Sequence, residues 1–437
     1  MTDDTDQRFH LGWFMNFMPP KSWRGSWGGH DAETWADGEF YVDFVKALER
    51  ACFDYMMLED SSMLPDAYGG TSEVELKHSL YAPKHDPVPL VPVLAKATEK
   101  IGIVATMSTS FYPPFLLART MATLSHLTGG RVGWNVVTSS EHRAAQNYGL
   151  DELWEHDERY ERADEFVEVV NKLWASWDQD AVVLDRETGT YADFTKVEPV
   201  DFKGAYFKVR GPLNTLPPIG GRPVICQAGG SPRGRQFAAE TADTIITSAI
   251  GIEAMKAYRD DIRERREKAG LDPDSVKLLY VVSPVLADTD AEAQAKVERM
   301  RSQADWNAEA ALAHLSALTE NDFSEFDLDG PVPELTTNGH RSTLGDFLKN
   351  TPGDTLKERA ANWSISSVPL VGSPDTVAER MGEVMEYVGG DGFLISGELS
   401  RRYITEITEG LVPALQRRGL TRTSYAYDTF QENLLEF

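Results

Sequence analysis

Eight short stretches of the chain are apolar almost without interruption: residues 9–16 (FHLGWFMN), 55–60 (YMMLED), 101–109 (IGIVATMST), 131–138 (RVGWNVVT), 223–229 (PVICQAG), 244–249 (TIITSA), 278–286 (LLYVVSPVL) and 391–397 (DGFLISG). Continuous apolar runs of strand length, without polar alternation, predict strands covered on both faces. Between them the pattern changes to helical spacing. Residues 41–53 place apolar side chains at 41, 44, 45, 48, 51 and 52, and 90–99, 114–127, 160–174, 234–242, 252–269 and 374–388 behave alike. Strand and helix in repeated alternation predict an α/β fold, a (β/α)8 TIM barrel running as one domain over 1–437, with an open doubly wound sheet as the rival.

The alternation is interrupted after strands one, four and seven. Residues 18–38 form an aromatic, glycine-rich loop. Residues 178–221 read as loops with a small hairpin, and residues 287–372 hold the most acidic stretch, ENDFSEFDLDGPVPEL. Insertions this long in a compact domain serve as lids or binding loops or are disordered, and 287–372 is expected to close over substrate.

Charge narrows the function. The 43 Lys and Arg against 69 Asp and Glu leave a net charge of −26, the opposite of the basic footprint that nucleic acid or an anionic membrane requires. The two cysteines, Cys52 and Cys226, show no metal spacing and form no disulfide framework, which fits a reducing cytoplasm. The acidic start MTDDTDQRFH lacks the layout of a signal peptide, and no apolar run reaches membrane-spanning length.

Barrel enzymes keep their chemistry at the C-terminal strand ends. There the sequence delivers Glu59 and Asp60 from strand two, Thr106 and Ser108 from strand three, and Asn135, Thr138 and Ser139 from strand four. Strand five runs into Ala228, Gly229, Gly230 and Ser231, and a helix opens at Pro232. Glycines let a backbone approach a ligand, a helix start offers free N–H groups, and Ser231 suits the cap, so this turn reads either as a phosphate cradle or as an ordinary capped turn. Arg233 and Arg235 are the candidate counter-charges. His156 and Tyr160 open the helix after strand four, facing the barrel mouth. Phe14 and the loop residues Trp23 and Trp27 are candidate walls of a planar substrate pocket. No zinc motif, P-loop or Gly-x-Ser-x-Gly elbow occurs, and His78 and His85 are not expected to bind metal.

Several of these segments, WNVVTS, NYGL, HDERYERADEFVEVVNKLWASWDQDAVV, FKVRGPLN, GRPVICQAGGSPRGRQFAAETAD and the terminal DGFLIS and LVPALQRRG, resemble in order the bacterial-luciferase-like flavin monooxygenases. The branch is that of the nitrilotriacetate, dibenzothiophene-sulfone and long-chain-alkane monooxygenases. The resemblance covers most of residues 8–420 and is weakest over 287–372. It implies a TIM barrel that uses FMN in its reduced form (FMNH2) with O2, receives the flavin from a separate NAD(P)H-dependent reductase, and forms a homodimer or homotetramer. Residue by residue, it implies that Asp60, Thr106, Asn135 and Thr138 face the isoalloxazine ring, with Thr106 and Asn135 catalytic at the edge that meets oxygen. His156 and Tyr160 match positions on the ribityl-phosphate side, and Ala228, Gly229, Gly230 and Ser231 match the phosphate turn. The chain departs from the pattern at Pro218, Ile219, Gly220 and Gly221 and at Thr429, Phe430 and Gln431, which puts tail packing or oligomer contacts in question. The substrate does not transfer; an acidic chain with an aromatic entrance points to a neutral aromatic heterocycle, oxygenated with possible C–N, C–S or ring cleavage. A flavin- or deazaflavin-dependent reductase on the same barrel is the alternative, with a carboxylate hydrolase and a non-catalytic flavin carrier as further rivals.

Overall fold

The computed structural model describes residues 8–21, 29–301 and 304–437. Trp23 and Trp27 lie outside the described residues. Eight parallel strands close into a barrel: β1 (His10–Asn16), β2 (Tyr55–Glu59), β3 (Gly102–Ser108), β4 (Val132–Val137), β5 (Val224–Ala228), β6 (Thr244–Thr247), β7 (Lys277–Val282) and β8 (Gly392–Ile395), with β8 hydrogen-bonded back to β1. The open-sheet rival is thereby excluded.

The uninterrupted apolar runs follow from the burial on both faces. On β2, Tyr55 and Met57 point into the barrel interior with Val104, Cys226, Leu279 and Leu394, while Met56 and Leu58 pack outward under the helices. The outer helices are α1 (Glu39–Arg50), α2 (Leu90–Lys96), α3 (Pro114–Thr128), α4 (His156–Trp174), α5 (Pro232–Thr241) and α6 (Ile252–Lys268), followed later by Pro374–Val388. Each presents an apolar face; in α1 it is Phe40, Tyr41, Phe44, Val45 and Leu48.

Strand seven is shorter than its apolar run. It ends at Val282, and after Ser283 and Pro284 the chain leaves the barrel to form a two-residue parallel pair, Val285–Leu286 with Val371–Gly372. That pair brackets the third insertion at its base. Above it lie α7 (Ala304–Thr319) and α8 (Arg341–Lys349), and Leu312, Leu315, Phe323, Leu344, Phe347 and Leu356 form a core of their own. A second cluster joins Ala310, Ala313 and Ala317 of α7 to Met63, Leu80 and Tyr81, which follow β2, and to Ala144, which follows β4. The insertion therefore sits over the C-terminal mouth. The second insertion holds two small antiparallel hairpins, Val182–Asp185 with Thr190–Ala192 and Phe202–Lys203 with Lys208–Val209, where the sequence pattern pointed to one.

The opposite mouth is plugged. The terminal helix Phe430–Leu434, whose Thr429–Glu432 capping box is complete, drives Phe430 and Leu434 into the interior cluster. Phe430 lies where side chains on Gly102 and Gly133 would stand: Cβ atoms there would come within 2.6 Å and 3.0 Å of its ring. The departure at Thr429, Phe430 and Gln431 thus still yields a packed tail.

Candidate functional site

The strand ends bring together the polar residues expected there. Thr106 and Asn135 are register partners on β3 and β4, both buried, and Asn135 Nδ2 donates to Thr106 Oγ1 at 2.8 Å. Asn135 Oδ1 has no partner, although a buried unpaired carbonyl costs about 1–3 kcal/mol. On β5, Gln227 Oε1 is likewise buried and unpaired. Ser139, just past β4, holds a left-handed φ of 57° and its hydroxyl meets that of Ser108 at 2.8 Å. A non-glycine residue in that region carries strain, of the kind that clusters at functional sites. Thr138 is buried beside it, and Phe14 is half-buried against the barrel interior.

On the β2 side, Asp60 is half-buried and its carboxyl is pushed up to about 7, first by burial and then by Glu59. Glu59 accepts from Lys84 Nζ at 2.7 Å and from Asn16 Nδ2 at 2.8 Å. Lys84 also reaches the Ser61 hydroxyl at 2.7 Å.

The glycine–serine turn has a cause different from the one its sequence suggests. Gly229 and Gly230 do not hold positive φ; they are small because neighbours leave no room. A Cβ on Gly229 would stand 2.5 Å from the Gly234 carbonyl oxygen, and one on Gly230 would stand 2.5 Å from Ser342 Oγ of the third insertion. Ser231 caps α5, accepting from Gly234 N at 3.0 Å, with Pro232 at the first helical position. Ala228 is exposed at the strand end. Tyr160 is buried between this turn and β4, close to Thr138 and Ser231, and burial raises its phenol well into the neutral form. His156 is buried at the start of α4, contacts Asp157 through Nδ1 at 2.6 Å, and is held toward the neutral form by burial. Arg233 and Arg235 are not free counter-charges: Arg233 pairs with Asp164, and Arg235 pairs with Asp261 at 3.1 Å and donates to the Gly230 carbonyl at 3.1 Å.

The sequence pattern missed the roof. His314 on α7 stacks on Tyr81 with centroids 5.0 Å apart and lies 5.4 Å from the Trp363 ring. Burial, with Lys21, Lys84 and His340 nearby, pushes its imidazole down to about 3, so it is neutral at any working pH. Only its place as a lone imidazole among small apolar residues in AEAALAHLSAL marks it in the sequence.

A parallel eight-stranded barrel with hydroxyl, amide and carboxyl groups converging at its C-terminal mouth, roofed by an insertion, defines the class: an α/β-barrel enzyme. The family follows from its relatives. The profile of the luciferase-like monooxygenases matches residues 21–392, and the chain belongs to that family, whose flavin-dependent monooxygenase chemistry it shares. It is 37% identical to a dibenzothiophene-sulfone monooxygenase of Rhodococcus erythropolis (strain XP), over 98% of this chain and 97% of that protein. It is 35% identical to nitrilotriacetate monooxygenase component A of Aminobacter aminovorans, over 91% and 90%. The crystal structure of a riboflavin lyase, solved with modified FMN and the substrate riboflavin, superposes with a TM-score of 0.89 at 31% identity, covering 98% of this chain and 96% of that one. Among the described residues, no helix is long and apolar enough to cross a membrane, and no group of three or more His, Cys, Asp or Glu is placed to hold a metal.

Proposed function

We propose that the protein is the oxygenase of a two-component system, taking FMNH2 from a separate NAD(P)H-dependent reductase and using O2 to oxygenate a small aromatic heterocycle. The observation that carries this reading is the Thr106–Asn135 pair with the buried, unspent Asn135 Oδ1. An acceptor left idle at a strand end fits the N–H edge of a reduced flavin ring. The name of the related component A supports a reductase partner, and the riboflavin and dibenzothiophene-sulfone substrates of relatives support a planar ring.

Bound reduced FMN supplies the electrons that activate O2. The residues do the rest. Thr106 and Asn135 orient the ring edge, and Asp60 and Thr138 border it. Tyr160 and Ser231 offer neutral hydroxyl donors to the phosphate, alongside the main-chain N–H groups of 229–231 and the start of α5. His156 stands on the same side. Asp60, titrating near neutrality, holds or releases a proton at the mouth. The Lys84–Glu59 pair fixes the β2 side, and the stacked Tyr81 and His314 rings with the tilted Trp363 ring form an aromatic roof over a heterocycle, with Phe14 below. The third insertion acts as the lid that keeps water out.

The test combines the protein with an FMN reductase, NADH, air and a panel of heterocycles, followed by oxygen electrode and mass spectrometry. Substrate-dependent oxygen uptake with a product heavier by one oxygen, or its cleavage fragments, is expected. Flavin binding without any substrate-dependent product across the panel would overturn the reading.

A further inference from the structure

The turn after β5 is not completed by the barrel alone. Ser342, in the first turn of α8, sits so close to Gly230 that a Cβ there would be 2.5 Å from its Oγ. Three of the four residues before it are tied to the same corner. Asn338 Oδ1 accepts from the His156 N–H at 2.9 Å, doing for the first turn of α4 what its own N-cap, Glu155, does not. The Asn338 carbonyl accepts from Arg159 Nη2 at 3.0 Å. Gly339 is wedged where a Cβ would meet the Leu318 carbonyl at 2.5 Å and the Ser140 carbonyl at 3.2 Å. His340 N donates to the Leu318 carbonyl at 3.0 Å. Segment 338–342 therefore runs as a strap from the start of α4 to the turn at Gly230.

The strap carries a cation. Arg341 is exposed; among the described residues its one side-chain hydrogen bond is from Nε to the Thr337 carbonyl at 3.3 Å, and it makes no ion pair. Its field reaches both His156 and Asp157. Of the other arginines at this corner, Arg233 is occupied by Asp164, Arg235 by Asp261 and the Gly230 carbonyl, and Arg159 is buried with its Nη atoms on the Trp154 and Asn338 carbonyls. A dianionic phosphate at this turn would meet neutral hydroxyls from Ser231 and Tyr160, and Arg341 is the exposed guanidinium of the corner that no carboxylate holds among the described residues.

We infer that the third insertion completes the phosphate end of the flavin site, with Arg341 as the mobile counter-charge to the FMN phosphate and Ser342 as an additional hydroxyl donor. This rests on the flavin reading above and extends it. The insertion then selects the phosphorylated flavin over the unphosphorylated one, and the lid and the cofactor grip are one element.

The experiment titrates oxidised FMN and riboflavin separately into the apo-protein and follows flavin fluorescence at two salt concentrations. The wild type is expected to prefer FMN. Arg341→Gln should raise the FMN Kd about tenfold, leave the riboflavin Kd within twofold, and flatten the salt dependence of FMN binding. Arg341→Lys should recover part of the preference, and Arg233→Gln, whose charge is already paired, should change it less than Arg341→Gln does. An unchanged FMN Kd in Arg341→Gln, or equal losses for FMN and riboflavin, would overturn the inference while leaving the flavin reading intact. A wild type that binds neither flavin would overturn both.

Discussion

Phe430→Ala tests how the two ends of the barrel divide their tasks. The Phe430 ring is fully buried beneath Gly102 and Gly133, neither of which has a Cβ to fill the space it would leave. The strands around it are hydrogen-bonded in register and cannot collapse inward. The truncation therefore loses transfer energy and opens a cavity, about 3–5 kcal/mol for a fully buried Phe. At about 2.1 cal/mol/K per residue, a 437-residue chain unfolds with an entropy near 0.9 kcal/mol/K, so the expected fall in Tm is about 3–5 °C. Calorimetry reads the shift, and fluorescence titration reads FMN affinity on the same samples. Affinity should stay within twofold, because the plug and the strand-end groups lie at opposite mouths. A Tm change under 1 °C would show that the tail does not support the barrel; an unchanged Tm with lost FMN binding would show that the two mouths are wrongly assigned.

Asn135→Ala and Thr106→Val should each lower product formation on the order of 100-fold with reduced FMN supplied, the usual cost of one polar contact at a reacting edge; undiminished turnover in both would remove the pair from the chemistry. Asp60→Asn probes the raised carboxyl. Because its folded pKa, about 7, exceeds the ordinary 3.8, the folded state holds the proton longer than the unfolded chain, and the group lowers stability as pH rises from about 4 to about 7. The Tm of Asp60→Asn minus that of wild type should climb across that window and level off above it; a flat difference would refute the assignment. Gly230→Ala should push Ser342 away and weaken FMN binding, and adding Ser342→Gly should relieve the clash and recover part of the loss, short of wild type because the Ser342 hydroxyl is gone; additive losses would mean that the two residues do not communicate.

The barrel was legible because each strand is buried on both faces and each helix on one, so composition repeats the topology. Pro374–Val388 shows why its ends also were: Ser373, Pro374 and Gly389 are local signals, a side-chain cap, a fixed φ and a left-handed stop. Where tertiary contacts decide, local pattern failed. The apolar run 278–286 continues past Val282, but Ser283 and Pro284 interrupt the ladder and Val285 pairs elsewhere. Gly229 and Gly230 looked like flexible joints; their small size answers to Gly234 and Ser342, the second of which is more than 100 positions away. The same holds for the arginines. Arg233 and Arg235 stand next to the turn in sequence, yet Asp164 and Asp261, brought in by α4 and α6, neutralise them, and an exposed, uncommitted charge arrives from Arg341. Tyr81 and His314 carry no mark of their pairing until α7 is laid across the loop after β2.

On the proposed assignment, this arrangement lets one barrel keep a cofactor site while its substrate changes. Thr106, Asn135, Tyr160 and Ser231 are carried on barrel strands or the helices directly after them, elements whose positions are fixed by the core. The roof residues His314 and Trp363 and the strap residues Arg341 and Ser342 are carried by an insertion with its own small core, joined to the barrel through the two-residue pair at its base and through contacts at the mouth. Substitutions within the insertion core can reshape the roof without disturbing the strand ends. The strap sets a limit on that freedom: Asn338 is hydrogen-bonded to the His156 N–H, and Gly339 and Gly230 leave no room for a Cβ against Ser140 and Ser342, so a roof that moves pivots about this corner. On the proposed assignment the lid turns about the phosphate end of the flavin, and its opening for substrate at the Tyr81–His314 side need not release the cofactor.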